Sequence, residues 1–249
     1  ERCREGPMTS PVRDAGTYQR LDAGAVSASL TRLHQRIVAR FPERNIANVA
    51  LELAGPVATA AVAGIPTKSQ RSVRRACWLA VLAVIAITAF ALYLAVRDAI
   101  DAADSTRAFE WLPIIESGIN DVVFAGIAVY FLRSIPHRQQ RRRTLAQLYR
   151  LRSLAHVIDM HQLTKDPERT MTRLPATDAS LPVDLVGDEL GKYLSYCGEL
   201  LALVGKTAAL HAEATDDSVV LDTVSEVETL TMSISREIWQ KITLLRAGR

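Results

Sequence analysis

The chain has 249 residues, 49% of them hydrophobic, and 30 Lys/Arg against 27 Asp/Glu give a net charge of only +3. That length holds a membrane hairpin together with one or two modest soluble domains. The charge is laid down in blocks, and an acidic last hundred residues argues against non-specific nucleic-acid binding. No Gly-rich phosphate loop, CxxC pair, HExxH helix or Gly-x-Ser-x-Gly elbow occurs, so neither an enzyme nor a cofactor is expected.

Residues 1–26 carry Gly6, Pro7, Pro11, Gly16 and Gly24 without an apolar period, and are expected to be disordered. Residues 27–75 read as a cytosolic amphipathic helical region. Leu30, Leu33, Ile37 and Phe41 share one helical face, opposite Arg32, Arg36 and Arg40. Pro42 suits the first turn of a second helix, in which Ile46, Val49, Ala50 and Leu53 continue the stripe until Gly55-Pro56 breaks it. The stretch 57–65 is apolar but too short to span a bilayer. It is expected at the membrane interface or against a hairpin, and the region before it either assembles through its apolar faces or lies on anionic lipid.

The centre of the chain, 76–132, reads as a two-helix transmembrane hairpin with spans at 76–96 and 112–132. At about 1.5 Å per residue each span matches the ~30 Å hydrocarbon core. The first contains no charged residue; its polar side chains are Thr88, Tyr93 and a thiol at its edge, Cys77. The second contains Glu116, Asn120 and Asp121, and an ionised group at that depth costs at least ~2.5–3.5 kcal/mol. On a helix Glu116 and Asn120 lie about 40° apart, with Asp121 about 140° from Glu116. They are read as lining a cation path in a homo-oligomer, where rings of carboxylates surround the axis. Hydrogen-bonded glue between helices is the alternative.

Basic residues flank both outer ends of the hairpin: Lys68, Arg71, Arg74 and Arg75 before it, Arg133 and the following arginines after it. Both termini are therefore expected in the cytoplasm, and the membrane is expected to be a bacterial inner membrane. Cys3, Cys77 and Cys197 lack zinc-ligand spacing and read as free thiols. From 133 to 249 the reading is a basic stem followed by a helical sensor or interaction domain. Pro136 marks a break. Arg138, Arg141, Arg142, Arg143, Arg150 and Arg152 then either bind anionic lipid headgroups or line a positive vestibule for a nucleotide or single-stranded oligonucleotide.

Three helices follow, making the whole chain all-α. The first runs over 137–163 with Leu145, Leu148, Leu151, Leu154/Ala155 and Ile158 as its stripe. After a Pro-containing loop at 164–184, the second uses Leu190, Tyr193/Leu194, Cys197, Leu200/Leu201 and Val204. The third, capped by Asp216 or Asp217, turns Val220, Val224, Val227, Leu230/Thr231, Ile234 and Ile238 inward with Trp239 beside them. His156 and Asp159 stand one turn apart with His161, Lys165 and Asp166 close by. His161 lies about 140° round from His156, so this cluster is read as structural rather than as a metal site.

Leu151-Arg-Ser-Leu-Ala-His-Val-Ile-Asp-Met-His-Gln-Leu-Thr-Lys-Asp-Pro167, Glu189-Leu-Gly-Lys-Tyr-Leu-Ser-Tyr-Cys-Gly-Glu199 and Ser235-Arg-Glu-Ile-Trp-Gln-Lys241 resemble the carboxy-terminal part of a family of bacterial two-span membrane proteins. That likeness brings no activity with it. In layout the chain is also similar to membrane effectors of nucleotide-signalling antiphage systems, the Hailong-type effectors among them. This resemblance implies an oligomeric ion channel controlled by a deoxyadenylate oligomer, and it assigns no binding residue here. The competing expectation is a membrane-anchored helical scaffold or adaptor with no conduction.

Overall fold

The computed structural model describes residues 20–63, 68–102, 111–165 and 184–247. Residues 1–19, 64–67, 103–110, 166–183 and 248–249 lie outside these, with the expectations that fell on them. The described chain is all-α, with six helices and no strand: α1 (Ala23–Arg40), α2 (Ile46–Ala61), α3 (Lys68–Ala102), α4 (Trp111–Leu163), α5 (Gly187–Ala212) and α6 (Ser218–Ala247). They form two compact units. One comprises residues 1–63 and 147–249, the other residues 64–146.

In the first unit α1 opens inside the stretch expected to be disordered. Asp22 caps it, its carboxylate accepting from the Gly24 N–H at 2.8 Å. The stripes foreseen on α1 and α2 are buried: Leu30, Leu33, Ile37 and Phe41 on the first, Ile46, Val49, Ala50 and Leu53 on the second. They are covered from within the chain, because α1 and α2 pack on each other and both pack on α5. The bidentate pair of Arg36 with Glu199, at 2.7 and 3.1 Å, ties α1 to α5. The Phe41 ring meets Tyr193 and Tyr196 edge-on at centroid distances of 5.5 and 6.1 Å.

Gly55-Pro56 does not end α2. The helix continues to Ala61, and Pro56, Val57 and Ala60 are buried. Burial of one turn beyond the proline offsets the roughly 3 kcal/mol that an interior proline costs. Residues 57–60 therefore belong to this bundle and not to a membrane interface.

α5 starts at Gly187, whose φ of 55° is the left-handed backbone that suits glycine, and Asp188 and Glu189 complement the N-terminal dipole of its first turn. The whole expected stripe of α5 is buried. Asp217 serves as the cap of α6, its carboxylate accepting from the Val219 and Val220 N–H groups at 3.0 and 3.4 Å. On α6 the expected Val220, Val224, Val227, Thr231, Ile234 and Ile238 are buried and Leu230 partly so, while Trp239 is 59% exposed, because it stands one position off the Ile234–Ile238 line.

The second unit is an antiparallel pair. Arg133 stacks on Trp78 with 5.7 Å between the guanidinium carbon and the ring centroid, and a Cβ placed on Gly118 would lie 3.6 Å from Leu92 Cδ1. Near one end position 78 of α3 therefore faces 133 of α4, and fourteen residues on 92 faces 118. Both helices are long and apolar enough to cross a membrane. Of the most apolar window of α3 only 6% is buried, and of that of α4 none. Leu79, Ile87, Phe90, Ile119, Phe124 and Tyr130 are among the large side chains each more than half exposed. Pro136 lies inside α4, which runs through it. The proline removes one hydrogen bond to the Leu132 carbonyl without ending the helix, at a point just past the apolar span where water can reach that carbonyl.

Candidate functional site

The polar residues of the second span fall on two faces. Asp121 looks into a cavity of about 220 Å³ between α3 and α4, whose other walls include Thr88, Ala91, Leu92, Ser117 and Gly118. Small residues at 91, 95 and 118 hold the helices close while leaving this space, and the Thr88 hydroxyl is turned to the Val84 carbonyl at 2.9 Å. Glu116 and Asn120 are not part of the cavity wall, and all three side chains are exposed. Within one hairpin the three do not converge. The signal for Asp121's neighbours was present in the sequence as Ser117, one turn before it, and Thr88, the lone hydroxyl in the body of the first span. The Ser117–Asp121 spacing follows from one helix, but the meeting with Thr88 depends on the register of the two helices, which periodicity does not supply.

The six arginines of the stem are also divided. Arg138, Arg142 and Arg143 are exposed on the hairpin-unit part of α4, and Arg141 is half-buried. Arg150 and Arg152 belong to the bundle unit, where Arg150 Nη1 lies 3.9 Å from the position a Cβ on Gly55 would take. Arg152 pairs with Glu226 of α6 at 3.5 Å. At 100° per residue Arg138, Arg141, Arg142 and Arg152 fall within about 100° of one another, while Arg143 and Arg150 lie on the far flank. Leu148, Leu151, Ala155 and Ile158, the buried stripe, run between the two flanks.

At the end of α4 the His/Asp cluster is engaged structurally. Asp159 accepts from Gln162 Nε2 at 2.7 Å, and the fully buried Gln162 receives the Lys241 ammonium on its side-chain oxygen at 2.7 Å and on its carbonyl at 3.1 Å. His161 Nδ1 is 3.4 Å from the Tyr193 hydroxyl, and burial together with Lys165 lowers its pKa. His156 is exposed. No group of three potential ligands that could hold a metal occurs among the described residues.

A charge cluster that the sequence did not advertise joins three segments. Asp184, just before α5, takes Arg44 from the α1–α2 turn on one oxygen and Lys165 from the end of α4 on the other, the latter at 2.6 Å. The two cations hold its carboxyl down at about 2.

Comparison with family models, curated proteins and solved structures finds no match.

Proposed function

We propose that the protein is an oligomeric, ligand-gated, cation-conducting pore of a bacterial inner membrane, with both termini cytoplasmic. The observation that carries the reading is the composition of the second span: an apolar surface left exposed, interrupted by Glu116, Asn120 and Asp121, which are exposed as well. A hydrocarbon surrounding accounts for the apolar side chains, and a second copy of the hairpin or a water-filled path accounts for the polar ones. Asp121, Glu116 and Asn120 would line that path. The topology has its own support. The bundle unit is assembled from chain on both sides of the two apolar helices, and Arg36 of α1 pairs with Glu199 of α5. Two crossings return the chain to the same face, as this contact requires.

The bundle unit would sense the ligand, and α4, shared by the two units, would carry the change to the span. The resemblance in layout names the ligand class, a nucleotide or single-stranded oligonucleotide, and the setting, antiphage defence. Arg138, Arg142, Arg143 and Arg150 are exposed cations available to its phosphates. A membrane-anchored scaffold is the second reading. It is favoured by Asp121 sharing a cavity with Thr88 of α3 within its own hairpin, where it can serve helix pairing.

Single-channel current in a planar bilayer under asymmetric KCl separates the two. The pore reading expects discrete openings with a cation-selective reversal potential, moved toward zero by Asp121→Asn and by Glu116→Gln. An intact oligomer that stays silent through a series of nucleotides and deoxyadenylate oligomers supports the scaffold. Openings with unchanged selectivity in both variants would remove these residues from the path.

A further inference from the structure

At the end of the hairpin opposite the loop, α3 and α4 enclose a second cavity of about 170 Å³, built from Arg74, Trp78 and Val81 on one helix and Arg133, Pro136 and His137 on the other. Val81, 5% exposed, is its apolar floor. Stacking on Trp78 orients the Arg133 guanidinium while leaving its N–H edge available. Sequence adds the electrostatics. No Asp or Glu occurs in residues 64–97 or 122–158, so neither helix brings a carboxylate within about 18 Å of helix rise of Arg133. Two guanidinium groups and an imidazole, all exposed, thus line one recess with no acid on either helix beside them, an arrangement that favours an anion there.

We propose that this recess is a phosphate site occupied by the headgroup of an anionic phospholipid. Arg74 stands just before the first apolar span and Arg133 just after the second, which puts both at headgroup depth, with Trp78 at the level aromatic belts occupy. Planar guanidinium groups match phosphate oxygens in a fork, and the apolar floor faces the side from which acyl chains come. A free phosphate shares that chemistry, but it would leave the apolar side of the recess uncovered. The proposal rests on the membrane reading above and not on conduction.

The test uses the full chain carrying Trp111→Phe and Trp239→Phe, so that Trp78 is the only fluorophore of its kind, in phosphatidylcholine vesicles containing phosphatidylglycerol. Either lipid is supplied with brominated chains as quencher. Trp78 should be quenched several-fold more efficiently by brominated phosphatidylglycerol at equal mole fraction. Arg74→Gln and Arg133→Gln should each reduce that preference about fivefold, the effect of ~1 kcal/mol per charge at the surface. Lys68→Gln with Arg75→Gln removes two charges, one more than either single variant, from a flank of α3 that does not line the recess, and should leave the preference standing. Equal quenching by both lipids, or an equal loss in that control pair, overturns the site. Loss of the preference on adding millimolar inorganic phosphate, with the total ionic strength held constant, assigns the recess to a soluble anion and overturns the lipid. Trp78 quenched by neither lipid overturns the membrane reading itself.

Discussion

Asp184 is placed so that a single carboxylate answers two cations from distant parts of the chain, Arg44 and Lys165. Held at about 2 against an ordinary 3.8, its ionised form is favoured by the fold. Its contribution to stability is complete above pH 3.8 and is lost as pH falls through 2. Because the side chain is 36% exposed, solvent screening leaves ~1 kcal/mol or less. Asp184→Asn should lower the urea midpoint slightly at pH 7 and flatten the decline between pH 4 and pH 2. A variant declining as steeply as the parent would show that the pairs are incidental.

His211 works with the opposite chemistry and the same sign. It is 3% exposed, its Nε2 has no hydrogen-bond partner, and burial lowers its pKa below the ordinary 6.5. The unfolded chain therefore binds a proton that the folded one refuses, and stability falls as pH drops below 6.5. His161, lowered by burial and by Lys165, pulls the same way. His211→Leu should reduce, without abolishing, the loss in thermal midpoint between pH 8 and pH 5.5. An unchanged loss would place the titration elsewhere.

At the scale of elements, what the sequence announced was periodicity. Every stripe residue expected on α1, α2, α5 and the bundle part of α4 is buried, because each stripe is a 3.6-residue repeat of apolar side chains, while Val26, Ala47 and the last two turns of α5 from Thr207 to His211 are buried beyond it. Two kinds of feature escaped that reading. Pro56 and Pro136 look like stops, yet each helix runs through its proline, since burial in one case and access to water in the other offset the missing hydrogen bond. The partner of each stripe escaped too, for an apolar face states that it is covered but not by what. α1 and α2 read as a separate region with apolar faces free for assembly, whereas α5 covers them. Ile37, fully buried in α1, tests that packing. Ile37→Ala should cost about 2–5 kcal/mol and raise amide exchange along α1 well before α6. Uniform protection across both helices would mean that α1 is not a separable layer.

For the whole molecule, the candidate site was legible as composition and not as geometry. Glu116, Asn120 and Asp121 stand out because carboxyl groups are costly in a span, but which of them meet each other depends on the pairing of α3 with α4. That register brings Asp121 to the cavity that Thr88 also lines and leaves the other two outside. The recess of Arg74, Arg133 and His137 depends on the same register, joining flanks that lie almost sixty residues apart in sequence.

The division of the bundle unit between the two ends of the chain also sets an order of events during synthesis. α1 and α2 leave the ribosome first, with their stripes uncovered, and α5, which covers them, is completed only after both apolar helices have been made. At typical translation speeds that interval lasts roughly ten seconds or more. The stripes of α1 and α2 must be sheltered through it, so the unit closes only once both apolar helices have been made. A chain cut short before α5 would leave its earliest helices with nothing to close on.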